Sequence, residues 1–170
     1  IRPYSYLGMK AVQGLGEGLF RLFFLSLPGL FFVSLFLPLQ FPEHAKTWLA
    51  FGVSLLFSFI IFSELNLLAG VVTFFTFRNE GLLRAKRFII DLFSGLILPI
   101  SFYPDWAQQL MHYFPFQAIS YIPSMIITES FQGDAVHGGL LVQAAWCALL
   151  LVPIGLLWRT AKKRLVVQGG

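Results

Sequence analysis

The sequence predicts an all-α, polytopic membrane protein: four transmembrane helices plus an outer re-entrant helical segment. Three observations carry that expectation. Of the 170 residues, 57% are hydrophobic and only 12% are charged, more apolar surface than a soluble domain of this size can hide. Apolar runs at 19–41, 48–77, 88–103 and 139–158 approach or exceed the roughly 20 residues a helix needs to cross a hydrocarbon core of about 30 Å. Finally, the basic residues fall almost entirely on one side of those runs.

Residues 1–18 read as a helical entry on the basic side. The chain opens on Ile1 without an initiator Met, and Tyr4–Gly18 reads as the middle of something larger, so a preceding portion is expected. Gly14-Leu15-Gly16-Glu17-Gly18 is Gly-rich, but Leu19 stands where a dinucleotide fingerprint needs its last Gly and no strand precedes it. The first span, 19–41, carries Pro28-Gly29, which should kink it, and Pro38, which should end it. The second, 48–77, is too long to cross untilted. It holds Glu64 and Asn66; an ionisable group at that depth costs about 2.5 kcal/mol or more unless it faces protein or water, so Glu64 should point inward. Two readings stay open for this pair, a substrate pathway and hydrogen bonding between neighbouring helices. The third run, 88–103, is interrupted by Asp91, Ser94 and Ser101, and reaches spanning length only with Phe102 and Tyr103 at the interface.

Charge placement favours counting that third run. With four spans, Arg2, Lys10, Arg21, Arg78, Arg84, Lys86, Arg87, Arg159, Lys162, Lys163 and Arg164 share one side, and Lys46 alone lies on the other. The positive-inside rule then makes the basic side cytoplasmic, with both ends of this chain inside and 42–47 and 104–138 outside. The net charge of +4 reflects this topology and contact with anionic lipid headgroups. Nucleic-acid binding is not expected, because the basic residues are scattered over three segments without a reading fold.

Segment 104–138 is the most unusual stretch. Asp105 can cap a short helix with Trp106, Leu110 and Tyr113 on one face and Gln108, Gln109 and His112 on the other, suited to the outer interface. Pro115 breaks it. Residues 116–130, interrupted by Pro123, are apolar but too short to span, which predicts a dip into the outer leaflet and back. The last span, 139–158, contains the single Cys147, expected to act as a small hydrophobe, and a basic tail follows at 159–170.

Motifs for chemistry are nearly absent. No G-x-x-x-x-G-K-[ST] phosphate loop, G-x-S-x-G elbow or H-E-x-x-H zinc motif occurs. His44, His112 and His137 fall on the outer side with Asp105 and Asp134, but without metal-ligand spacing, so no metal site is expected.

The layout resembles the permease of ABC-2 type transporters. The residues that carry the resemblance are Gly95-Leu96-Ile97-Leu98-Pro99, Phe102-Tyr103-Pro104-Asp105-Trp106, Phe114-Pro115-Phe116, Tyr121-Ile122-Pro123, and a tail of Trp158 followed by Ala161-Lys162-Lys163-Arg164-Leu165-Val166-Val167-Gln168-Gly169-Gly170. Such permeases usually have six spans, so the four here would be the last four. The resemblance implies a subunit of an ATP-driven exporter in a bacterial plasma (inner) membrane, paired with a second permease subunit as a homo- or heterodimer. Cytoplasmic ABC ATPase subunits would bind the ATP, and the permease itself would hold no cofactor and perform no catalysis. It also implies a coupling helix at 4–18 that docks on the ATPase, where Lys10, Gln13 and Glu17 lie at helical spacing, and it turns Glu64 and Asn66 toward a central pathway. An ordinary interfacial helix remains the other reading of 4–18. Two other classes stand beside the permease: a non-transporting membrane anchor or assembly subunit, and a lipid-acting membrane enzyme. The enzyme would need ionisable groups clustered at one depth, whereas Glu64 and Asp91 fall in opposite halves of the bilayer.

Overall fold

The computed structural model describes residues 6–38, 41–73, 79–95, 97–98 and 100–168, and every regular element among them is helical. The chain divides into two compact units, residues 1–41 and 42–170. Among the described residues, three helices are long and apolar enough to cross a membrane: Val12–Phe36, Ala45–Val72 and Asp134–Arg159.

In the first unit, α1 (Tyr6–Arg21) runs into a π-helical turn at Leu22–Ser26 and then α2 (Leu27–Phe36). The irregularity expected at Pro28 takes this form. Pro28 sits in the first turn of α2; it has no N–H to return to the carbonyl four residues earlier, and the preceding turn widens instead of snapping into a sharp kink. Pro38 ends the helix one residue ahead of itself: Leu37 is extended (φ −124°, ψ 133°), because a residue before proline is pushed out of the α region. No α2 side chain is buried, so this apolar rod needs lipid or another chain around it.

The second unit is built on α3 (Ala45–Thr73) and α7 (Asp134–Gln168). Ser54 on α3 meets Gln143 on α7, and Phe57 meets Cys147. Both sequence positions rise together, so the two helices run parallel. Ile61 and Leu150 continue the seam, and Ala118, Ile122 and Ile126 complete its buried apolar core. Pro153 lies inside α7 without ending it.

Parallel neighbours need a returning connection, and α4 (Asn79–Phe93) begins it. Near the Thr73 end of α3, the Lys86 ammonium donates to Asn66 Oδ1. At its own far end, α4 stacks Phe93 on Phe116 with ring centroids 5.9 Å apart, so it climbs back along α3. The run 88–103 is not one helix. α4 starts nine residues earlier, at Asn79, and stops at Phe93, where Gly95 takes φ +84°, a left-handed conformation that favours glycine and closes helices. The freed carbonyls are capped: Ser94 N–H donates to Ile90 O at 2.9 Å and Ile97 N–H to Asp91 O at 3.2 Å. A 3-10 turn at Ile100–Phe102 then leads to α5 (Asp105–His112).

α5 buries Ala107 and Met111 against Ile100. Trp106, Leu110 and Tyr113 are exposed, the arrangement of an interfacial helix whose large apolar side chains face away from the protein. Asp105 lies in its first turn, but Pro104 is the cap residue and no side-chain cap bond forms.

Candidate functional site

From Phe114 the chain dives between α3 and α7. Phe114 is extended ahead of Pro115, and Pro115 opens a 3-10 turn, Pro115–Ala118. The Phe116 ring lies against both Phe93 and Phe114, each with centroids 5.9 Å away. At the bottom of the dive, the Ala118 carbonyl accepts Ser58 Oγ at 3.0 Å and Gln143 Nε2 at 2.8 Å. Counted from Ala45 at 1.5 Å per residue, Ser58 lies about 20 Å along α3.

The chain then climbs out. α6 (Tyr121–Ile127) presses Ile122 and Ile126 into the core shared with Ile61 and Leu150. It ends at Glu129, which has φ +56°, a backbone conformation uncommon for a non-glycine residue. There Thr47 Oγ1, two residues past Ala45, donates to Glu129 Oε1 at 3.2 Å. Residues 118–129 thus run from the level of Ser58 back to the Ala45 end of α3, and the stretch 114–129 is called the dip below. Its close seat on α7 depends on Gly139, where an added Cβ would stand 3.0 Å from Ile122 Cγ2.

A polar clasp fastens the bottom of the dip. Gln143 is 0% exposed. Its Oε1 accepts Ser54 Oγ at 2.9 Å, while its Nε2 faces Ala118 O at 2.8 Å, Ser58 Oγ at 3.1 Å and Ser54 O at 3.2 Å. One side chain thus ties α3, α7 and the dip together. Each such bond contributes about 1 kcal/mol net, and a buried amide left without partners costs about 1–3 kcal/mol. Beside it, Gln117 is 6% exposed and its Nε2 is buried without a hydrogen-bond partner.

Of the residues expected to matter from sequence, Glu64 is 6% exposed, with Oε2 buried and unpartnered. It follows Ile61 by three residues and so shares the face of α3 that packs on α7. A carboxyl held in that state is a reservoir of unfavourable energy that calls for an explanation. Asn66 is half-buried and bonded to Lys86, so the structure joins it to α4 and not to Glu64. Gln13 and Glu17 are exposed on α1, while the side chain of Lys10 lies outside the described residues. Among the described residues no three His, Cys, Asp or Glu side chains gather into a metal-binding group.

The clasp is what sequence reasoning missed. Its signals were present: Ser54 and Ser58 stand one helical turn apart, and Gln143 is the one amide side chain inside the last apolar run. A lone polar group in a spanning helix must find a partner, but hydropathy does not say which.

Comparison with known proteins adds one match. A family model described as ABC-2 family transporter protein matches residues 3–169. No curated protein and no solved structure matches the chain.

Proposed function

The chain belongs to the ABC-2 family of transporter proteins, and we propose that it is a membrane-spanning permease subunit of an ATP-driven exporter that works as a dimer with separate cytoplasmic ATPase subunits. The observation that carries this reading furthest is the dip seated between two parallel apolar helices. If α3 and α7 both cross the bilayer, they cross in the same direction, and the chain between them must cross back once. We assign that crossing to 79–104, as α4 and the capped, broken stretch after it. That yields four crossings, and it leaves 114–129 as a re-entrant segment whose irregular backbone is covered by protein, as a low-dielectric surrounding demands.

With four crossings, the positive-inside rule puts both ends of the chain in the cytoplasm of a bacterial inner membrane and the dip on the outer side. α1 then lies where the ATPase would dock, with Lys10, Gln13 and Glu17 as its polar contacts. ATP binds and is hydrolysed in the partner; this subunit supplies the path. The buried Glu64, with Asn66 nearby in sequence, is the polar element of that path, and the Asn66–Lys86 bond links it to α4. Trp106, Leu110 and Tyr113 rest in the outer lipid interface.

The test is to purify the full-length protein in nanodiscs with the ATPase encoded for it. Co-purification and an ATPase rate that responds to reconstitution support the permease; a protein that binds no ATP-hydrolysing subunit overturns it.

A further inference from the structure

We propose that the uncovered face of α4 is a binding site for one anionic phospholipid of the cytoplasmic leaflet, a reading that rests on the assignment of 79–104 as a crossing and needs no transport activity. Gly81, Arg84, Ala85, Phe88 and Ile89 are all exposed and recur at i, i+3, i+4, i+7 and i+8, so they form one stripe along the helix. Arg87, also exposed, flanks the stripe one turn from Arg84. The opposite face is taken up by the protein: Ile90 is buried and Lys86 is drawn inward to Asn66. The stripe changes chemistry along its length. Its first half offers two guanidiniums beside Gly81 and Ala85, where the helix backbone is open to approach: nothing lies within 4 Å of a Cβ built on Gly81. Its second half is Phe88 and Ile89, 60% and 40% exposed.

Depth turns that pattern into one that fits a lipid. Asn66, to which Lys86 donates, lies about 10 Å short of the Thr73 end of α3 at 1.5 Å per residue. Asn79, the first residue of α4, lies about the same distance before Lys86, so the two helix ends are level. Arg84 and Arg87 therefore stand on either side of the Asn66 level, inside the end of α3, and Phe88 and Ile89 lie deeper still. A guanidinium on the lipid side of a crossing at that depth is costly unless it snorkels to a phosphate. A phosphodiester lying over Gly81 and Ala85 would accept charge-assisted hydrogen bonds from both arginines, and its acyl chains would cover Phe88 and Ile89. A free phosphate would satisfy the cations but leave those two apolar side chains bare. A cytoplasmic protein would have to enter the bilayer to reach them.

The experiment titrates full-length protein in zwitterionic detergent with phosphatidylglycerol and, separately, with phosphatidylcholine of the same acyl chains, and counts bound lipids by native mass spectrometry. One phosphatidylglycerol should bind ahead of the rest, and tighter than phosphatidylcholine by about fivefold or more. Arg84→Gln and Arg87→Gln should each weaken it by about fivefold, the effect of one cation beside a charged leaflet. Gly81→Leu, which keeps every charge and fills the headgroup seat, should weaken it as well. Gly52→Leu, at an exposed glycine of α3 with nothing within 4 Å, should not. Lys162→Gln combined with Lys163→Gln removes charge from the basic tail and should leave the first lipid in place. Equal binding of the two lipids overturns the site. So does a tail variant that loses as much as the α4 variants, since binding would then follow net charge. Displacement of the lipid by excess glycerol 3-phosphate makes the occupant a soluble phosphate and overturns the lipid assignment. The assay contains no ATPase, so the absence of an ATP-hydrolysing partner strikes the permease reading and leaves these outcomes unaffected.

Discussion

The hydroxyl of Tyr103 donates to the main-chain carbonyl of Leu92 at 3.1 Å, and so closes the end of a helix that stops partway along its neighbour. A carbonyl freed at such a break has no water to turn to within a bilayer. Tyr103→Phe removes the donor and keeps the ring. It is expected to lower stability by about 1–2 kcal/mol, read as an earlier unfolding transition in detergent, while Tyr113→Phe, on an exposed ring, serves as the silent control. Equal behaviour of the two variants would show that the cap contributes nothing.

Gly139 sets the distance between α7 and α6. A Cβ there meets Ile122 Cγ2 at 3.0 Å and the Phe131 ring at 3.5 Å, so Gly139→Val should cost about 1–3 kcal/mol by overpacking. Ile122→Ala is expected to recover part of that loss in the double variant, since the two sites share one space. Gly138→Val is the comparison: nothing lies within 4 Å of that position. Additive losses at 139 and 122 would disprove the contact.

Glu64 separates pathway from packing. Glu64→Gln keeps the shape and removes the charge; transport should fall while assembly and thermal stability hold or improve, because the buried Oε2 has no partner to lose. Unchanged transport of any cargo the wild-type protein moves would reduce Glu64 to a residue of the helix seam. Asn66→Ala should act differently, weakening the α3–α4 contact through loss of the Lys86 bond, with an effect that vanishes when Lys86→Met is already present.

Gln132 reports topology. It is exposed just after the dip, so Gln132→Cys on the Cys147→Ser background should react with an impermeant maleimide added outside intact cells. A cysteine in place of Arg159, exposed on α7, should react only after permeabilisation. The opposite pattern would invert the orientation, and labelling of both from outside would exclude four crossings.

The apolar runs at 19–41, 48–77 and 139–158 were legible as long helices because hydropathy is additive along a helix; each falls largely within a helix of the structure. The short helix after Pro104, Asp105–His112, was legible from its proline brackets. The third run was not. Its apolar residues read straight through Ser94-Gly95, although that pair is an ordinary helix stop, because a window average gives glycine no conformational meaning. The clasp was invisible for another reason: Ser54 and Gln143 are 89 positions apart, and a one-dimensional pattern states that a buried amide needs a partner without naming it. The burial of Glu64 followed from the cost of an exposed carboxyl in lipid, whereas Asn66's attachment to α4 required knowing where that helix begins.

The parallel course of α3 and α7 has an electrostatic consequence. Helix macrodipoles laid side by side in the same sense repel, and in a low-dielectric surrounding the repulsion between like ends, each about half a charge, is poorly screened. Asp134 stands in the first turn of α7, and the cations Arg159, Lys162, Lys163 and Arg164 lie in its last third, so each end carries charge opposite to its dipole. On the other hand, α4 runs against α3 and sets its own dipole in opposition. The broken helix is thus a partial electrical counterweight to α3, and reversing the charge of Asp134 would penalise the α3–α7 pair even though that residue takes no part in the buried seam.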